Sequence, residues 1–208
     1  MGQLSIYDTE EGLKLRESPI HVNEIECIEP AEPWGLLTGS KDLTINRIDV
    51  RQKRLLTMKF IAHVAPICGI SVRDFQVASG SADGQVLLWD LRKAEKLKTI
   101  NMHQAAVKAI DWCPWKRHLL GSGGGSADHK IVLYDTEKDS VEEIIEGESQ
   151  VTGLVWRQES HDLVTSHGGS DGFAYGMVWN YPDKEFSHVL KGHHSRITSL
   201  CVNSGNPE

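Results

Sequence analysis

VLLWDL, residues 86–91, is the stretch on which the reading of this chain turns: an apolar run that ends in an aromatic–acid pair. Related endings stand at LSIYDT (4–9), INRIDV (45–50), IVLYDT (131–136) and MVWNYP (177–182). The acid or amide positions are Asp8, Asp49, Asp90, Asp135 and Asn180, at successive separations of 41, 41, 45 and 45 residues. Five hits at so regular a spacing are a repeat, and a repeat decides the architecture before any single motif does.

Each period carries the same parts. A polar turn, often with a histidine (His21, His63, His103, His193), precedes an alternating strand such as VKAIDW (107–112) or VTGLVW (151–156). A second strand follows, as in FQVASG (75–80), HLLGSG (118–123) and DLVTSH (162–167). Then comes a turn with aspartate, spelled SKD (40–42), SAD (81–83 and 126–128) and GSD (169–171). The third strand ends in the aromatic–acid pair, and a more polar fourth strand closes the unit: KLKTIN (96–101), EEIIEG (142–147), FSHVLK (186–191). Period-2 alternation between Gly, Asp and Ser clusters is the signature of strands, and no stretch sustains a helical period. A period of ~40–45 residues with this ending is that of WD repeats, one propeller blade per period. The expectation is an all-β WD-repeat β-propeller. Repeats at about 20–60, 61–101, 102–146 and 147–191 make four complete four-stranded blades, with partial blades at both ends, in one domain over 1–208. A seven-bladed ring needs roughly 300 residues at this period, so the chain is expected to form part of one.

In such blades the turn Asp, the His before strand one, a hydroxyl on strand two and the Trp of strand three form one hydrogen-bonded chain. The expected members are Asp83, His63, Ser79 and Trp89 in one blade, and Asp128, His103, Ser122 and Tyr134 in the next. A buried polar network stabilises when every member is satisfied, so these residues are assigned to the fold rather than to catalysis.

Three motifs suggest chemistry and fail on inspection. Cys113, in Trp112-Cys113-Pro114-Trp115, has no partner at metal-ligand spacing. The proline suits a strand end, and the tryptophans suit wedges between blades. GSGGGSAD (121–128) lacks the Lys-Ser or Lys-Thr of a phosphate loop and leads into a strand, not a helix. GGSDG (168–172) spells a nucleophile elbow, but Ser170 stands in a loop before a strand. No carboxylate pair, metal triad or nucleophile arrangement is left to support an enzyme, and no cofactor or metal is expected.

The composition is that of a globular protein, 39% hydrophobic and 25% charged, with a net charge of -7. That charge argues against a general nucleic-acid surface, which needs a basic stripe. No run approaches the ~20 apolar residues of a membrane helix. MGQLSI has no secretory pattern and reads as a strand rather than an acylation signal. Cys27, Cys68, Cys113 and Cys201 are far apart in sequence, as expected for free thiols in a reducing compartment.

HQAAVKAIDWCPW (103–115), GSGGGSADHKI (121–131), ESQVTGLVW (148–156), VWNYP (178–182) and LKGHHSRITSL (190–200) follow one another at intervals that resemble the Fizzy and Fizzy-related family. These are WD-repeat, substrate-recruiting activators of the anaphase-promoting complex, a ubiquitin ligase. The likeness is most specific from His103 to Leu200. It implies a non-enzymatic adaptor that binds degradation motifs of mitotic or meiotic proteins. Its partners would be subunits of the complex, degron-bearing substrates such as cyclins, and checkpoint or inhibitor proteins, with no nucleic acid and no membrane. It implies a nuclear and cytoplasmic location. It also implies a Lys-Glu-Asn pocket on the top face at Gln150, Arg196 and Ser126. At the Ala82 position the family usually has Asn, so a side-chain amide is missing there. The same four residues lie in turns before strand one or after strand two, which open on one rim because the two strands are antiparallel. An arginine there suits a peptide carboxylate. The destruction-box groove of the family lies between blades expected to be largely outside this stretch. A basic docking box ahead of the propeller and an Ile-Arg tail are not found. The alternative reading is a general WD-repeat interaction scaffold in another assembly.

Overall fold

The computed structural model describes residues 1–31, 34–168, 174–181, 183 and 185–202. Its secondary structure is eighteen strands, and among the described residues there is no helix. β1 (Gly2–Tyr7) and β2 (Lys14–His21) form a two-stranded antiparallel sheet. Four four-stranded antiparallel meanders follow. The first has β3 (Ile25–Ala31), β4 (Gly35–Ser40), β5 (Thr44–Asp49) and β6 (Leu56–Ile61). The second has β7 (Ile67–Arg73), β8 (Gln76–Ser81), β9 (Val86–Asp90) and β10 (Glu95–Ile100). The third has β11 (Val107–Trp112), β12 (Leu119–Gly124), β13 (Ile131–Asp135) and β14 (Ser140–Ile145). The fourth has β15 (Val151–Arg157), β16 (Asp162–Gly168), β17 (Ala174–Asn180) and β18 (Phe186–Leu190). The chain divides into two compact units, Met1–Ile100 and Asn101–Glu208, each with two complete meanders.

The burial pattern follows the sequence. In the second and third meanders the second and third strands are buried along nearly their whole length, whereas the outer strand β18 is exposed throughout. In the first unit Leu37, Ile45, Phe60, Ile67, Val77, Leu87 and Trp89 fill the space between the two meanders. In the second, Leu119, Ile131, Leu133, Val151, Leu154, Trp156 and Trp179 do the same, and Cys113 is buried among them. Each such side chain contributes about 1.5–3 kcal/mol when taken from water. Trp115, one of the two expected wedges, packs against that second cluster. Trp112 is buried at the end of β11.

The meanders approach closely because strand two carries glycine. A Cβ on Gly123 would stand 2.6 Å from Val151 Cβ, and one on Gly39 would stand 2.6 Å from Ile67 Cγ2. Every first strand also has a register shift at its second residue, between Ile25 and Cys27, Ile67 and Gly69, Val107 and Ala109, and Val151 and Gly153. A bulge there bends the strand and increases its twist at the end that carries the preceding turn.

Two local features depart from expectation. The segment 191–202, expected to begin another blade, has no strand assignment. A strand exists through its ladder partner, and among the described residues none pairs with it. It nevertheless contacts β15 and β11: Leu200 Cβ is 3.0 Å from where a Cβ of Gly153 would be, and Lys108 Nζ on β11 donates to Thr198 O at 3.2 Å. The second feature is Leu43, which has a φ of 70° in the turn where the next meander has Gly84 at 84°. Both turns close in the same way, Leu43 N to Ser40 O and Gly84 N to Ser81 O. A left-handed conformation costs an L residue about 1–2 kcal/mol, and glycine's extra freedom when unfolded returns about 0.5–1 kcal/mol of it. Leu43→Gly is therefore expected to raise stability by about 0.5–1 kcal/mol, read as a higher urea midpoint.

Candidate functional site

Under one rim of each meander lies a histidine-centred hydrogen-bonded chain, and the four differ. In β7–β10, Ser79 Oγ accepts from Trp89 Nε1 at 2.8 Å and pairs with His63 Nε2 at 2.6 Å. The expected fourth member is absent: Asp83 is exposed, and its carboxylate accepts from Gln85 N in its own turn at 2.9 Å. His63 Nδ1 is left buried without a partner. In β11–β14, His103 Nδ1 pairs with Asp128 at 2.5 Å and Nε2 with Ser122 Oγ at 2.8 Å. Tyr134 does not join this chain, which corrects the expectation. A phenol carries its hydroxyl at the far end of the ring, not on the flank where an indole N–H sits, and Tyr134 Oη donates to Asp139 instead.

Two chains were not named from sequence. In β3–β6, His21 Nδ1 pairs with Asp42 at 2.9 Å and Nε2 with Thr38 Oγ1 at 2.8 Å. The signal was present, since His21 and the SKD turn occupy the repeat positions of His103 and Asp128. In β15–β18 the histidine comes from strand two. His167 Nε2 pairs with Thr165 Oγ1 at 2.8 Å, and Trp179 Nε1 donates to the same hydroxyl at 3.1 Å. Burial pushes His63 and His167 down to about 4 and lowers His103 as well, so these rings are neutral near pH 7. They are structural supports.

On the second unit the rim is built above these chains. The turn after β12 closes with Asp128 N and His129 N both donating to Gly125 O at 3.0 Å, and Ser126 is exposed in it. The turn before β15 lies against it, since a Cβ on Gly147 would stand 2.6 Å from His129 O. Gln150, half-buried, is the last residue of that turn, and its carbonyl accepts from Gly168 N at 3.3 Å. Arg196 packs on the same glycine. A Cβ on Gly168 would stand 3.0 Å from Arg196 Cα and 3.1 Å from its Cγ. Gln150 and Arg196 thus both contact Gly168, and Arg196 is exposed. Ala82 belongs to the first unit, exposed in the turn after β8, with its N–H on Pro66 O at 2.9 Å. Ser170 lies outside the described residues. Chemically, the described residues of the second-unit rim offer a cation, an amide and a hydroxyl, a set that binds polar peptide side chains.

The family described as WD domain, G-beta repeat matches residues 54–90 and 94–135. FIZZY-RELATED 3 of Arabidopsis thaliana is 31% identical over 206 residues, covering 97% of this chain and 42% of that protein. The chain belongs to the Fizzy and Fizzy-related family. The APC/C activator protein CDH1 of Saccharomyces cerevisiae is 30% identical, over 98% of this chain and 36% of its own length. The Fizzy-family chain thus spans about two fifths of these relatives. Among solved structures, a chain of the Mitotic Checkpoint Complex superposes with a TM-score of 0.88 at 31% identity, covering 95% of this chain and 61% of that one. The four meanders are accordingly blades of a WD-repeat β-propeller.

Proposed function

We propose that this chain is the substrate-recognition part of a non-enzymatic adaptor. It binds degradation motifs of cell-cycle proteins, presents them to the anaphase-promoting complex and activates that ligase. The observation that carries this reading is the convergence of Gln150 and Arg196 on Gly168, beside the Ser126 turn, in a family whose relatives are named as activators of that complex. In a Lys-Glu-Asn peptide the glutamate carboxylate is the natural partner of the Arg196 guanidinium, which can hold both oxygens at once. The Gln150 amide and the Ser126 hydroxyl complement the asparagine, since each can donate and accept. Subunits of the complex, substrates such as cyclins, and checkpoint or inhibitor proteins are its partners, with no cofactor, and it works in nucleus and cytoplasm.

One observation favours a second reading, a general WD-repeat scaffold: Ala82 offers no side-chain amide where the family usually has one. Fluorescence polarisation of a labelled Lys-Glu-Asn peptide separates the two. Arg196→Ala is expected to weaken binding at least about tenfold, as removal of a charged hydrogen-bonding group does. Equal affinity in the two proteins would move the scaffold reading ahead.

A further inference from the structure

The turn that carries Gln150 differs from the corresponding turn of the other blades. In those, a histidine of the turn or of the strand end that leads into it (His63 and His103, or His21) reaches down to the hydroxyl of strand two and holds the turn in place. The turn before β15 reads Gly147-Glu148-Ser149-Gln150 and has no such ring. His167 supplies the ring from below instead; it lies against the Ser149 backbone, and Tyr175 adds a second link, to the Ser149 side chain. His167 and Tyr175 are cross-strand partners on β16 and β17, and their rings stack with centroids 5.0 Å apart and planes 13° from parallel. At the far end of that stack the Tyr175 hydroxyl meets Ser149 Oγ at 3.3 Å. Ser149 is buried, and the next residue is Gln150.

We propose that Tyr175 is a positioning residue for Gln150, and that through Ser149 it sets the affinity of this rim for peptides carrying an acidic residue beside an amide. The proposal rests on the adaptor reading of the rim. Its chemistry is local. The aromatic stack restricts the Tyr175 ring, the phenol holds Ser149, and Ser149 with the Gly168 N–H fixes the Gln150 backbone so that its amide faces a ligand without first being ordered. An anchored side chain loses less conformational entropy when a ligand binds, so loosening the turn weakens binding without removing a ligand contact.

The test is a mutant cycle on the same peptide titration. Tyr175→Phe keeps the stack and removes only the hydroxyl. It is expected to weaken the Lys-Glu-Asn peptide about fivefold with the melting temperature nearly unchanged. Ser149→Ala is expected to give the same loss, and it takes the place of Tyr175→Phe should that variant melt early. In a Gln150→Ala background, Tyr175→Phe is expected to change nothing further, because it acts through the residue already removed. Unaltered affinity of both single variants, or losses that add in the double variant, would overturn the proposal. A wild-type chain that binds no peptide would be a failure of the adaptor reading alone. The positioning role is then read by amide exchange at Gly168, whose N–H is held by Gln150 O. Exchange faster in Tyr175→Phe supports it, and identical exchange overturns it.

Discussion

Trp156→Ala is expected to cost the second unit about 3–5 kcal/mol, the range for emptying a fully packed aromatic site. Trp156 ends the apolar part of β15 yet belongs to the neighbouring blade's packing. Trp115 meets it edge-on at 5.5 Å and Tyr181 at 5.6 Å, and its Cζ2 lies 3.4 Å from where a Cβ of Gly121 would be. Its indole N–H donates to Asp111 O on β11 at 3.2 Å, and its own backbone N–H reaches the Asp111 carboxylate at 3.3 Å. The truncation would therefore remove both the wedge between two blades and a hydrogen bond across them. Trp156→Phe, which keeps most of the volume, is expected to lose about 1–2 kcal/mol. Urea midpoints of the two variants check this, and equal midpoints for alanine and wild type would show that the two blades do not depend on this contact.

Acid is the second strong lever. Burial holds His63 and His167 at about 4, against about 6.5 for an exposed histidine. Between those values the unfolded chain binds protons that the folded chain refuses, so stability rises with pH across that window. The contribution is complete above about pH 6.5 and is lost as pH falls towards 4, at roughly 3 kcal/mol for each ring. Asp49 and Asp90 titrate lower, held at about 2 chiefly by hydrogen bonds from Arg51 and Arg92, so their loss falls in a separate, more acidic window. The expected result is a urea midpoint that drops steeply from pH 7 to pH 5. His167→Phe, which keeps a ring against Tyr175 but cannot titrate, should show a shallower drop. A flat midpoint across that range would contradict the neutral, buried state of these rings.

How far the sequence could be read depends on whether a feature recurs with the repeat. The strands do: VKAIDW is β11 and VTGLVW lies within β15, because alternation and the flanking Gly and Asp turns specify them locally. The His103–Ser122 and His63–Ser79 pairs also follow repeat position. What escaped is what breaks the repeat. His167 was not legible because its ring enters from strand two rather than from the turn, and no period points to it. Tyr134 stands at a tryptophan position but carries its polar atom elsewhere on the ring. Asp83 has the same turn spelling as Asp128 yet turns its carboxylate to its own backbone, which spacing alone cannot reveal. Within the rim, the approach of Arg196 to Gln150 depends on Gly168, a glycine whose importance appears only when the segment beyond β18 is seen lying across it.

On the proposed function, one rim of the second unit is a degron platform. Its most direct test is a titration of unlabelled Lys-Glu-Asn peptide into the 15N-labelled chain, followed by amide shifts. Saturable shifts centred on Ser126, Gln150, Gly168 and Arg196, abolished by Arg196→Ala, are expected. Shifts confined to other faces, or a spectrum the peptide leaves unchanged, would contradict it.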